Sequence, residues 1–286
     1  MFTNSSAVML RSLCRLAAIP VFSIFSFNCS TTSLKNPATA KVDAPMHILM
    51  VGDSMMGGFF GKALAEELTT NPNVTILRDY TISTGLSGLH PYNWKKRTEE
   101  LMNENPPDVL IVFFGGNDTL AVREPDGKEF LYHNSEFRNR YVRHVTDYLA
   151  YFAPKVKRLF MIGQPATADP QFSVRYPKIN DMQNEACLKF PNTYFVPSWQ
   201  HTTINGVYAR YMKDKDGKNR KMKYDDDVHP TPAGGIIMKD ALMPYFTAEL
   251  NLPDSTEHSS VTADTQTSQL SQADQSNQPG SSSLTR

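Results

Sequence analysis

The sequence predicts an α/β domain of three layers, with helices on both faces of a mainly parallel sheet. Three observations lead there. Short apolar runs alternate with longer segments that carry apolar residues at helical spacing, the pattern of βαβ units. One run, Asp108-Val109-Leu110-Ile111-Val112-Phe113-Phe114, is apolar throughout after its first residue, which suits a strand covered on both faces. Glycine-containing turns follow the runs at their carboxyl ends, where open sheets of this kind collect their sites.

His47-Ile48-Leu49-Met50-Val51, bounded by Pro45 and Gly52, reads as the first strand. Phe59 to Leu68 reads as the first helix. Between them, Gly52-Asp53-Ser54-Met55-Met56-Gly57-Gly58 is a tight turn. Such a turn lifts the Ser54 hydroxyl clear of the sheet and aims the first free N–H groups of the helix at the same point. A plainer reading makes Asp53 or Ser54 an ordinary N-cap. Val74–Leu77 is the second strand, with Ser83-Thr84-Gly85-Leu86-Ser87-Gly88 after it, and Trp94 to Met102 is helical. Gly115-Gly116-Asn117-Asp118 follows the strand at 108–114. Phe137 to Phe152 is a long helix with Tyr141, Val145, Tyr148 and Leu149 on one side. Leu159–Ile162 is a strand leading into Gly163-Gln164-Pro165. Pro177 to Phe190 is a helix whose proline suits the first position. Thr193–Val196 is a strand, and Pro232 to Leu250 is the last helix, just after Asp225-Asp226-Asp227-Val228-His229-Pro230.

These elements occupy residues 45–252 of the 286, one domain. Basic and acidic side chains balance at 29 each, which gives no support for nucleic-acid binding or a polybasic membrane patch. Residues 1–28 read as a leader: Arg11 and Arg15 precede an apolar stretch too short to span a bilayer. Met9 makes a more typical start than Met1, since it brings the arginines close to the terminus. Cys29 follows, then the polar Ser30-Thr31-Thr32-Ser33. This arrangement resembles a bacterial lipoprotein signal, in which Cys29 is lipidated and becomes the first mature residue. Phe27 and Asn28 stand where such signals favour small residues, and an ordinary signal peptide cleaved nearby is the alternative. The chain is expected in the bacterial cell envelope, tethered by residues 29–44. Cys187 has no cysteine left in the body to pair with and reads as a buried small hydrophobe. Residues 253–286 are Ser-, Thr- and Gln-rich, with too little apolar surface to offset the entropy of ordering.

Acyl transfer needs a nucleophile, a base, a group that orients the base, and donors for the developing oxyanion. Ser54 fits the first and His229 the second; His47, His90, His133, His144 and His201 sit in no comparable motif. Asp226, three residues before His229, is within reach of its Nδ1–H, which leaves Nε2 for Ser54. Asn117 offers a side-chain amide, and the backbone N–H groups of Ser54 and Gly85 offer two more donors. Gly88 is an alternative to Gly85, and Asp225 or Asp227 to Asp226. Asp53 and Asp118 read as turn-stabilising acceptors for backbone N–H groups.

With these residues in place, the sequence resembles the SGNH (GDSL-like) hydrolases. The matching blocks are Gly52-Asp53-Ser54, Gly85, Gly116-Asn117-Asp118 and Asp226-Asp227-Val228-His229, in the family's order. The stretches around Ser83-Thr84-Gly85-Leu86 and from Gly206-Val207-Tyr208 through Gly217-Lys218 to His229 resemble a bacterial envelope branch, the DUF459-type proteins. The resemblance implies a flavodoxin-like architecture, a Ser54–His229–Asp226 triad, an oxyanion hole of Ser54, Gly85 and Asn117, and no cofactor or metal. It implies an esterase acting on small acyl groups of envelope carbohydrate, or an O-acetyltransferase using the same triad. A metal phosphoesterase would want several histidines beside its acids, and only His229 is so placed. A non-catalytic envelope binding lipoprotein is the remaining class. Gly-x-Ser-x-Gly and Gly-x-Gly-x-x-Gly are absent, against an elbow-type hydrolase and a dinucleotide site. Tyr92, Trp94, Trp199 and Tyr208 flank the expected mouth as sugar-stacking candidates, with core or rim packing as the plainer reading.

Overall fold

The structure, a computed structural model, describes residues 40–252. The expected leader, Cys29 and the expected tail lie outside the described residues.

Five parallel strands make the central sheet: β1 (Met46–Gly52), β2 (Val74–Tyr80), β3 (Val109–Phe113), β6 (Arg158–Ile162) and β7 (Thr193–Val196). Their order is β2-β1-β3-β6-β7. That is the flavodoxin-like doubly wound order, in which the chain reverses direction between β1 and β3. Side chains alternate along each strand and divide the core into two. Leu49, Val51, Leu110 and Val112 face α3 (Trp94–Glu104), α4 (Phe137–Phe152) and α5 (Pro170–Cys187). Ile48, Met50, Val109 and Ile111 face α2 (Phe59–Leu68) and α6 (Pro232–Thr247). The fold is a three-layer α/β/α sandwich. Cys187 is buried and free in the first core, where desolvation pushes its thiol up.

The elements differ from their expected bounds where local chemistry outweighs periodicity. The helix expected from Pro177 starts at Pro170, because the Asp169 carboxylate caps the N–H groups of Gln171 and Phe172, each at 2.8 Å. Pro177 therefore lies inside α5. Strand β2 runs on to Tyr80 beside the whole of β1. Three hairpins escape the sequence reading, since strands of two or three residues carry no usable period: β4 (Ala121–Arg123) with β5 (Glu129–Leu131), β8 (Thr203–Ile204) with β9 (Val207–Tyr208), and β10 (Tyr211–Lys213) with β11 (Asn219–Lys221).

The tether expected up to residue 44 ends earlier. Val42 is buried and pairs with Leu250, its N–H donating to Glu249 O at 2.9 Å. The Arg158 guanidinium donates to Ala40 O at 2.8 Å and pairs with Glu249 at 3.0 Å. Residues 40–44 are part of the folded body.

Among the described residues no helix is long and apolar enough to cross a membrane.

Candidate functional site

The site forms at the carboxyl ends of β1 and β3, where the strand order reverses. Gly52 ends β1 with no space for a side chain: a Cβ there would fall 2.5 Å from Met56 Cβ and 2.6 Å from Phe113 O. The Asp53 N–H donates to Phe113 O at 3.2 Å, tying the turn to the next strand. Asp53 then caps a one-turn helix, α1 (Ser54–Gly57), by accepting from Met55 N at 2.9 Å. Ser54 is the first residue of that turn, and its N–H meets no acceptor among the described residues, the usual state of a first helical N–H.

His229 reaches Ser54 from 175 residues further along the chain. The segment between β11 and α6 folds back as an antiparallel bridge between Lys223 and Pro230. At its tip the Ser54 hydroxyl lies 2.9 Å from His229 Nε2, and His229 Nδ1 lies 2.8 Å from Asp226 Oδ2. Asp226 Oδ1 also accepts from Val228 N at 2.8 Å and His229 N at 2.9 Å, which fixes the carboxylate under the ring. Burial pulls the Asp226 carboxyl upward, but the bonds from the His229 ring and these two N–H groups outweigh it and hold it below its usual range. The Thr167 hydroxyl donates to Asp227 O at 2.5 Å and secures the turn from below. Asp225 pairs with Lys221 and Asp227 with Arg210 at 3.3 Å, so neither alternative aspartate serves His229.

Asn117 opens a short 3₁₀ turn after β3 and brings its amide to the same point. Its Nδ2 donates to Thr84 O at 2.9 Å and makes a long contact of 3.4 Å with Asp53 Oδ2. Gly85 sits beside it. A Cβ on Gly85 would fall 2.0 Å from Asp118 Oδ1, so glycine here makes room for a buried carboxylate. The Gly85 N–H meets no acceptor among the described residues, whereas Leu86 N and Ser87 N donate to Asp118 at 3.1 and 2.9 Å. Gly88 lies away from this point, against Arg123 O and His144, and does not replace Gly85.

Asp53 and Asp118 lie under Ser54 and are fully buried. Desolvation raises both carboxyls, Asp53 to about 8, with the Met55 N–H opposing and Asp118 adding to the rise. The Tyr141 hydroxyl donates to Asp118 at 2.9 Å. Gln164 and Gln183 donate to Phe114 O at 2.9 and 2.8 Å, and Asn180 pairs with the backbone of Gln164 through 2.7 and 2.9 Å bonds. Sequence reasoning missed this polar floor. Its one visible signal is two amides, Asn180 and Gln183, three residues apart on the apolar face of α5. Trp94 is buried, its indole N–H donating to Thr84 Oγ1 at 2.8 Å, and it packs on Tyr92 and Phe114; it holds the Gly85 loop and lines no mouth. His47, His144 and His201 are bonded to Thr75, Leu86 O and Tyr245 respectively.

A family model described as "Protein of unknown function (DUF459)" matches residues 47–245, nearly the whole folded body. The chain belongs to the DUF459 family. No curated protein matches it. Among solved structures, the DUF459 chain is similar in fold to LAE5, an alpha/beta hydrolase enzyme from the metagenome of Lake Arreo, Spain: TM-score 0.50, 14% identity, covering 72% of this chain and 97% of that one. It is also similar to two catalytic mutants of Axe2, an acetylxylan esterase from Geobacillus stearothermophilus. One replaces a serine by alanine (TM-score 0.52, 16% identity, 72% and 96% covered). The other replaces an aspartate by alanine (TM-score 0.52, 15% identity, with the same coverage).

Proposed function

We propose that this DUF459 domain is a serine esterase that removes small acyl groups, acetyl above all, from carbohydrate esters. The observation that carries the reading is the unbroken hydrogen-bonded line from Asp226 through His229 to Ser54 at the strand reversal. In this scheme His229 Nε2 takes the Ser54 proton as the hydroxyl attacks the ester carbonyl, and the Nδ1–H given to Asp226 holds the tautomer. The imidazolium then protonates the departing sugar hydroxyl. Water, activated by the same ring, cleaves the acyl-serine. The oxyanion is received by the N–H groups of Ser54 and Gly85 and by Asn117. One Asn117 hydrogen is committed to Thr84 O; the other, on its long contact with Asp53, is the one free to turn toward the oxyanion.

The likeness to Axe2, described as an acetylxylan esterase, supports the acetyl-ester class. The turns around Ser54 and Gly116 are short and mostly polar or glycine, with little to line a long acyl slot. Each methylene that a slot buries contributes about 0.8 kcal/mol. The purified protein is therefore expected to cleave acetyl esters faster than octanoyl esters, with free acetate released when no sugar acceptor is added. Faster octanoyl turnover makes it a lipid esterase, and turnover only in the presence of an acceptor, with the acetyl group recovered on that acceptor, makes it an O-acetyltransferase.

We further propose that the domain works in the cell envelope, held by lipid on Cys29. Labelled palmitate is expected to enter the wild type and not Cys29→Ser. Equal labelling of both removes the anchor.

A further inference from the structure

Behind the Asp226–His229 turn lies a side chain that the proposed acyl transfer does not use. Lys223 follows β11 and is 3% exposed. Its backbone forms the bridge to Pro230, and the next N–H, of Tyr224, donates to His229 O at 2.9 Å. Lys223 and the base therefore belong to one small clamp. The Lys223 ammonium meets no hydrogen-bond acceptor, and the Tyr208 ring centroid lies 5.6 Å from it. Tyr208 faces it from β9, and Asp226 and Asp227 from the turn, with Arg210 beyond on Asp227. The Tyr208 hydroxyl and Asp227 Oδ1 are likewise buried without a hydrogen-bond partner.

A buried ammonium without an acceptor is costly, and an apolar side chain of similar length fills such a space at no such cost. The placement thus asks for a role that needs an amine. Desolvation pushes the Lys223 ammonium down to about 7, against the upward pull of Asp226 and Asp227, so it exchanges its proton near neutrality.

We propose that Lys223 is a positioning residue of the Ser54 triad, whose charge competes with the His229 imidazolium for the Asp226 carboxylate. This rests on the esterase reading above. While Lys223 is charged, it draws on Asp226 and repels the imidazolium that forms as His229 accepts the serine proton. Once neutral, it leaves the full Asp226 charge to that imidazolium. Acyl transfer therefore gains speed from a second deprotonation, behind the base, in addition to that of the base itself.

The test follows the rate at which a fluorophosphonate labels Ser54 as pH rises from 5 to 9, in the wild type, Lys223→Met and Lys223→Arg. This readout needs the triad and no particular ester. The wild type is expected to show an acid limb steeper than one ionisation, and the methionine variant a limb of one ionisation. The arginine variant, charged at every pH, is expected to label about tenfold more slowly than the wild type at pH 8. Superimposable wild-type and methionine profiles overturn the proposal, and so does an arginine variant as fast as the wild type at pH 8. Should the arginine variant fail to fold in a thermal melt, the methionine comparison decides alone. Ser54→Ala in parallel separates the two claims: labelling that persists there removes the esterase reading, whereas the Lys223 claim falls on the profiles.

Discussion

Asp53 and Asp118, beneath Ser54, are fully buried, whereas the Asp226 side chain, beside His229, is about half exposed. Burial raises the first two carboxyls, Asp53 to about 8. Hydrogen bonds from His229 and the adjacent N–H groups hold the third below its usual range although burial pulls it the other way. Three aspartates at one site are thus pushed in opposite directions. The buried pair acts as fixed acceptors that shape the Ser54 and Gly85 turns. The exposed one acts as the charged partner of an imidazole. The Ser54 half owes its geometry to a polar floor under a sheet, and the His229 half to the clamp closed by the Lys223–Pro230 bridge.

The comparison breaks first where the halves meet. Ser54→Ala and His229→Ala are each expected to lower kcat on ester by on the order of 10³-fold or more, and the double variant to be little worse than either. Additive losses in a kinetic double-mutant cycle mean that the halves act independently. Next in size is Asn117→Ala, expected to cost about 10²–10³ in kcat with KM nearly unchanged. A change confined to KM moves Asn117 from the oxyanion to substrate binding.

The smallest effect concerns stability and sharpens the contrast between the carboxyls. The folded state keeps the Asp53 proton up to about pH 8, while the unfolded chain loses it near 3.8. The folded state therefore binds more protons between these values, and this contribution to stability is full below pH 4 and lost as pH rises to 8. Asp53→Asn is expected to flatten the loss, a difference on the order of a few kcal/mol in urea unfolding free energy between pH 5 and 8. Parallel profiles for the two proteins mean that Asp53 is ionised in the fold.

Much of this was legible in the sequence because strong signals coincide. The apolar run that follows Asp108 is buried on both faces as β3, and Phe137–Phe152 forms α4 with the expected face inward. Ser54, Gly85 and Asn117 follow strands at the sheet's carboxyl edge, and three residues separate Asp226 from His229, so each could be placed without coordinates. What escaped depends on partners distant in sequence. Trp94 reads as a sugar-stacking candidate or a core or rim aromatic, and only Thr84, taking its N–H, decides for the core. Gly85 reads as a backbone donor, and only the Asp118 carboxylate, filling the space where a Cβ would stand, shows the packing reason for a glycine there. Lys223 carries no signal in the sequence, and only the fold, with its bridge to Pro230, shows it buried. The start of α5 escaped because Pro177 mimics a first helical position while Asp169, eight residues earlier, supplies the real cap.

The pairing of Val42 with Leu250, and of Ala40 with Arg158 at the start of β6, sets the direction in which the domain faces. All strands of the sheet are parallel, so the start of β6 marks the edge opposite Ser54. A seven-residue strand such as β1 spans about 23 Å. The chain thus enters the folded body at the foot of the sheet, and the candidate site opens at the opposite end.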